Sequence, residues 1–301
     1  MIACHVRIPR GAGLGTKLFP WARCAVYSHV HGLPMLAPNW VHPRVGPFLR
    51  GGISLRAYHR QILLWGLFRD ANNISGAQRW RWLIRARHLS EPEKLSEPPS
   101  LSPSKRSSLV IFSGPGRMLA DLEPHRSTVR MLFQRAILTK WQEVAGKLSS
   151  PIAINIRCGR DFRPAPATNG PLPPFSQTPM DWYIKTLQRL RSDVGRDLEA
   201  IVVSDGHENQ LKPILKLGNV KLARPASAAS DLLLLAKAKV LLANGQSSFS
   251  AWGAFLGEGI ALCHPGQDLA WFGISEERII RYDPGKPLPN SHRLRLSELG
   301  L

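Results

Sequence analysis

No acidic residue precedes Asp70. Across the 301 residues, 40 Lys and Arg stand against 21 Asp and Glu, a formal charge of +19. The shortage of carboxylates is uneven. Residues 1–150 hold 22 basic and 7 acidic residues, whereas residues 151–301 hold 18 and 14, so the halves carry +15 and +4. Such an imbalance bears on partners and solubility rather than on fold. Cysteine is also scarce. Cys4, Cys24, Cys158 and Cys263 are scattered and lack C-x-x-C spacing, which argues against a zinc site or a disulfide framework and fits a reducing cytosol. No uncharged apolar run reaches the ~18 residues that a membrane-spanning helix needs. Residues 1–9 turn polar and Gly-rich almost at once, so they read as a short strand rather than the apolar core of a signal peptide. With 44% hydrophobic and 20% charged residues, the composition is globular and excludes disorder. The length suits two medium domains, expected over residues 1–150 and 151–301.

Periodicity predicts the elements. Ile2–Ile8 reads as a strand, followed by a Gly-rich turn and a helix over Leu18–His31, with Leu18, Trp21, Ala22, Ala25 and Val26 at helical spacing. Gly32-Leu-Pro stops that helix, and Met35-Leu-Ala reads as a second short strand. Residues 89–108 are rich in Pro, Ser and Glu and are expected to form a mobile surface loop. Leu109–Phe112 reads as a strand and Arg126–Lys147 as one helix. From Pro151 onward, short apolar runs alternate with amphipathic ones. That is the pattern of a doubly wound parallel sheet.

Four segments carry candidate chemistry. Gly11-x-Gly13-x-Gly15-Thr16-Lys17 lacks the Gly that a P-loop needs at Thr16, and it also fails the dinucleotide fingerprint. It reads as a tight turn, although Gly13, Gly15, Thr16 and Lys17 would let backbone approach a ligand before a helix start. The buried run Ile152–Ile156 delivers Asn155, Arg157, Arg160 and Asp161 at its carboxyl end, where ligands of doubly wound sheets bind. Asn155 and Arg157 are two residues apart and are expected on one face. The planar fork of Arg157 suits a diphosphate, whereas Arg160 reads as a surface partner of Asp161. Ser247, Ser248 and Ser250 follow an apolar strand and either cap the next helix or turn hydroxyls and N–H groups toward an anion. Phe249 beside them stacks on a ring or fills core. Asp205, at another strand end, either accepts from a ribose or base or caps a helix.

Taken in order, these segments resemble glycosyltransferase family 11, the alpha-1,2-fucosyltransferase-like enzymes, within a wider fucosyltransferase group. Gly13-Leu-Gly-Thr-Lys-Leu-Phe is similar to the family's Gly-x-Gly-Asn-Gln-Leu-Phe opening. Asn155-Ile-Arg-Cys-Gly-Arg-Asp is similar to its His-x-Arg-x-Gly-Asp motif. Ser247-Ser-Phe-Ser-x-Trp-Gly-Ala is the most specific block. The chain departs from the pattern at Thr16-Lys17, at Asn155, at the inserted Arg160 and at the extra Gly245-Gln246.

The resemblance implies a GT-B-like α/β architecture in which two Rossmann-like domains face each other across a cleft. The C-terminal domain would hold GDP-fucose as donor substrate, through Asn155, Arg157, Asp205, Ser247, Ser248 and Phe249. The N-terminal domain would shape the acceptor side. The implied chemistry is inverting and metal-independent, with no cofactor, and the sequence contains no Asp-x-Asp motif. Arg157 would stabilise the charge growing on the β-phosphate, and the base would be Asp161 or a substrate- or phosphate-assisted route. The basic half then points to an acidic or lipid-linked glycan acceptor, or to peripheral contact of a cytoplasmic protein with an anionic membrane. Two alternatives stay open: the same fold with another donor or acceptor, and a non-enzymatic binder of nucleic acid. The second is prompted by Arg79-Trp-Arg-Trp-Leu-Ile-Arg-Ala-Arg87, which fits an amphipathic helix on anionic lipid equally well and reads more simply as a core helix with a solvated basic face.

Overall fold

A computed structural model describes residues 1–40, 67–69, 73–99, 107–159, 162–165, 172–224 and 227–301. The chain divides into two units, Met1–Thr139 and Lys140–Leu301. Both are α/β units built on parallel sheets, the class expected from the alternating pattern.

In the first unit, β1 (Ile2–Val6) runs into α1 (Leu14–Val30). Met35 and Leu36 then bridge to Cys4 and Ile74, so the second short strand takes the form of two bridges. α2 (Gly76–Arg85), β2 (Arg87–Ser90) and β3 (Ser108–Phe112) follow, and the sheet order is β1-β3-β2, all parallel. α1 packs against β1 and β3 on one side. Trp82, Leu83 and Ala86 cover Ala3, Leu109 and Ile111 on the other. Trp21, Trp40, Phe68 and Phe133 form an aromatic cluster, with Trp40 and Phe68 stacked at 4.5 Å.

Three expectations for this unit are corrected. The helix begins at Leu14, with Gly13 as its N-cap. Gly15, Thr16 and Lys17 are therefore helical, not loop, and Lys17 is buried because its turn faces the core. The segment over 126–147 is two helices, α3 (Arg126–Ala136) and α4 (Thr139–Lys147). Between them, Ile137 bridges to Phe68 and the Leu138 N–H donates to Leu67 O at 3.0 Å, a tertiary pairing that outcompetes the helix. Residues 89–99 are not bare loop: Leu89 and Ser90 lie in β2, Leu95 is buried, and Glu91 pairs with Arg23 at 3.2 Å. Residues 100–106 of that stretch lie outside the described residues.

In the second unit, β4 (Ile152–Ile156), α5 (Met180–Val194), β5 (Ala200–Ser204), α6 (Glu208–Leu215) and β6 (Val220–Leu222) wind outward in one direction. The chain then returns through α7 (Ala228–Lys237) to β7 (Val240–Ala243), α8 (Ser248–Leu256), β8 (Ile260–Cys263) and β9 (Ile279–Arg281), and ends in α9 (Asn290–Glu298). The order β6-β5-β4-β7-β8-β9 reverses between β4 and β7. Ile152, Ile154 and Ile156 pack against Trp182, Tyr183, Leu187 and Leu190 of α5. Each such leucine contributes about 1.5–3 kcal/mol on burial. α7 and α8 take the opposite face. They approach so closely that a Cβ on Gly253 would lie 2.7 Å from Leu235 Cβ, and one on Gly257 would lie 2.7 Å from Ala236 O.

Candidate functional site

In a doubly wound sheet, the loops after the two strands that flank a reversal leave in opposite directions and open a crevice at their carboxyl ends. Here those loops begin at Arg157, after β4, and at Asn244, after β7. Of the residues singled out from the sequence, Arg157 follows β4, Asp205 follows the neighbouring β5, and Ser247, Ser248 and Phe249 follow β7.

The register explains the first contact. Ile156 of β4 pairs with Ser204 of β5, which sets the next residues, Arg157 and Asp205, side by side. Arg157 Nη1 lies 2.8 Å from Asp205 Oδ2, with the two side chains 22% and 11% exposed. The other carboxylate oxygen of Asp205 accepts from the Cys158 N–H at 2.8 Å. Asp205 is therefore not the cap of α6. The His207 position fills that role, and the Gln210 side chain takes the His207 N–H at 2.9 Å. The Arg157 guanidinium lies 4.9 Å from the ring of Phe162, which braces it from the side. Burial, reinforced by the Asp205 charge, pushes the Cys158 thiol pKa up.

Asn155 does not share the exposure of Arg157. It is buried on the α8 side of β4, where its Oδ1 accepts from Ser250 Oγ at 2.8 Å and its Nδ2 donates to Val203 O at 3.4 Å. Its backbone carbonyl takes the Tyr183 hydroxyl at 2.8 Å. Asn155 is buried, unlike Arg157 two residues on, because β4 is central and α8 closes that face. Asn155 fixes the first turn of α8 to the strand that carries Arg157.

At the second loop, Ser247 is the N-cap of α8 and its hydroxyl accepts from the Ser250 N–H at 3.4 Å. The capping role proposed for that serine is thus occupied. Ser248 and Phe249 form the first turn and are half-buried. Their N–H groups are among those that an α-helix leaves without an intrahelical acceptor, and the helix dipole favours an anion before them.

Several contributors escaped sequence reasoning. Gln267 Oε1 accepts from Thr178 Oγ1 at 2.6 Å and from the Gly245 N–H at 3.1 Å. Gln267 Nε2 and Asn244 Nδ2 both donate to Ser176 O, at 3.0 and 3.3 Å. The Gln246 side chain takes the Ser176 N–H at 3.1 Å. The extra Gly245-Gln246 therefore clamps the β7–α8 loop to residues 176–178. A Cβ at Gly245 would lie 2.6 Å from Gln267 Cβ, so only glycine fits. Next to this clamp, Phe175 is 53% exposed and holds φ at +56°, an outlier for a bulky residue. Its carbonyl takes the Arg163 N–H at 2.7 Å, and its ring lies 6.4 Å from that of Phe162. The lone signal for this platform was the density of prolines and aromatics around it.

Arg160 and Asp161 lie outside the described residues. Gly13, Gly15, Thr16 and Lys17 belong to the first unit and are placed there by β1 and α1. Among the described residues no group of three His, Cys, Asp or Glu side chains is arranged to hold a metal ion.

The sequence matches no protein-family model and no curated protein. Solved structures do match. The chain is similar to POFUT1 in complex with GDP, with TM-score 0.51 and 14% identity over 87% of this chain and 97% of that one. It is also similar to the alpha-1,6-fucosyltransferase NodZ soaked with GDP-fucose (TM-score 0.48, 12% identity, 85% and 93% covered). A third similarity is to fucosyltransferase NodZ from Bradyrhizobium (TM-score 0.47, 13% identity, 85% and 94% covered). At these identities the likeness is one of fold, and the first of the three carries it.

Proposed function

We propose that this protein is a glycosyltransferase that moves fucose from GDP-fucose to a hydroxyl of a glycan acceptor. The observation that carries the reading is the position of Arg157, a partly exposed guanidinium at the carboxyl end of β4, where the sheet order reverses. The shared fold with a protein solved with GDP supports the nucleotide class. The Ser247-Ser-Phe-Ser-x-Trp-Gly-Ala block supports the sugar. An alpha-1,2 linkage follows from the sequence resemblance alone.

In this reading, the acceptor oxygen attacks the anomeric carbon, its proton passing to Asp161 or to the departing phosphate, while the bond to the β-phosphate oxygen breaks and GDP leaves. Negative charge grows on that phosphate. Arg157 answers it with two N–H donors, and the first turn of α8 adds N–H groups. No metal is needed in this scheme, in line with the absent Asp-x-Asp motif. In this scheme Asp205 holds Arg157 in its rotamer until the diphosphate arrives and then accepts from the nucleoside.

Calorimetric titration of GDP and of GDP-fucose into the protein tests the reading. Arg157→Ala is expected to weaken GDP by about tenfold or more, the worth of a charge-assisted bond. Unchanged affinity in that variant sinks the site, and no affinity of the parent for either ligand sinks the function. A panel of nucleotide sugars then fixes the donor, because turnover with another sugar alone would replace fucose in the proposal.

A further inference from the structure

Among the described residues of the first unit, one face of α2 packs on the sheet and the other is exposed. Trp82 and Leu83 lie half-buried toward the sheet, with Ala86 beyond the helix end. On the opposite side Trp80 and Ile84, one turn apart, are 61% and 77% exposed. No residue of the helix is fully buried. The expected core-packed side and exposed arginines are present, but the outward face also carries the exposed apolar pair Trp80 and Ile84.

Its rim is cationic. Arg81, Arg85 and Arg87 are exposed, and the Arg79 guanidinium stands 5.8 Å from the Trp80 ring centroid. From Asn73 to Ser90 there are four arginines and no carboxylate. A second copy of the chain is a poor occupant, because two such rims would meet with like charge. A single-stranded nucleic acid would use the arginines and stack on Trp80 but leave Ile84 in water. An anionic bilayer surface answers every part: phosphates meet the arginines, and the boundary below the headgroups takes isoleucine and the indole.

We propose that the outward face of α2 docks this protein on anionic membrane surfaces, with Trp80 and Ile84 entering the headgroup boundary and Arg81 and Arg85 pairing with lipid phosphates. The inference does not depend on the donor site, since α2 belongs to the first unit and Arg157 to the second.

Flotation of the full chain tests it, using vesicles of phosphatidylcholine alone and of phosphatidylcholine mixed with phosphatidylglycerol. Binding is expected on the mixed vesicles only, and it should weaken with added salt. Trp80→Ala with Ile84→Ser should cut it by roughly tenfold, and Arg81→Glu with Arg85→Glu by at least as much. Both pairs are exposed, so thermal unfolding should match the parent, and a matching transition separates lost docking from lost folding. Equal binding to neutral vesicles, no vesicle binding, or variants that float like the parent would each overturn the proposal. Single-stranded RNA binding that falls with the arginine pair and ignores Ile84→Ser, without vesicle binding, would replace lipid with nucleic acid.

Discussion

The two units bury different kinds of polar group. Among the described residues of the first, the buried polar side chains are His5, Lys17, Arg23 and Ser108, so three of the four are basic. In the second they are Ser, Thr, Asn and Gln side chains, with Arg278 alone carrying charge. Neutral amides and hydroxyls satisfy one another at fixed geometry, which suits a unit that must hold two loops in register. Buried cations demand fixed acceptors instead. Arg23 finds them in Glu91 and in the carbonyls of Ser113, Gly114 and Pro115, at 3.0, 3.2 and 2.7 Å. The basic excess of the chain is therefore partly internal. Divided at the unit boundary, the charge is +14 over residues 1–139 and +5 over residues 140–301.

The strongest way to test this contrast is Arg23→Met. It leaves a partly buried carboxylate and three carbonyls without their donor and should cost about 3–5 kcal/mol. Hydrogen exchange of the β3 amides would read the loss in the first unit, and a loss below about 1 kcal/mol would show that the cation is dispensable.

Acid should also strike the first unit. Burial, with Arg79, Arg7 and His88 facing it, lowers the His5 pKa from 6.5 to about 4. The unfolded chain takes up that proton first. The contribution is therefore complete above about pH 6.5 and fades as the pH falls toward 4, by about 3 kcal/mol in all. Urea unfolding at pH 7 and pH 4.5 checks this, and His5→Phe should flatten the difference.

In the second unit, Ser250→Ala removes the donor to Asn155 Oδ1 within a closed interface and should cost about 1–3 kcal/mol. Chemical denaturation would measure it. The smallest effect belongs to the helix surface. Lys185 and Asp181 pair at 2.7 Å with side chains 62% and 71% exposed. Lys185→Ala should therefore change stability by less than about 0.5 kcal/mol.

Much of the second unit was legible because its strands are short apolar runs with polar ends, and polar ends are where a parallel sheet exposes its chemistry. The positions of Arg157 and of the Ser247–Phe249 turn at strand ends could be read in that way. The partnership of Arg157 with Asp205 was not, since it depends on the pairing of Ile156 with Ser204, 48 residues away in sequence. Asn155 read as accessible because alternation assigns a face but not whether a helix covers it. In the first unit, apolar spacing runs unbroken through Ile137, so only the pairing with residues 67–69 reveals the break. β2 was hidden for a related reason: Arg87-His-Leu-Ser has the composition of a loop and becomes a strand through β3.

The glycines between α7 and α8 have a kinetic consequence. With Gly253 against Leu235 and Gly257 against the Ala236 carbonyl, α8 has no room to slide or tilt, and Ser250 ties its first turn to β4. The first turn of α8 is therefore set when folding ends. A ligand arriving at this helix start should associate in one step, with an observed rate rising linearly with its concentration and no plateau from a slow rearrangement. Enlarging either glycine would introduce such a plateau before it abolished binding.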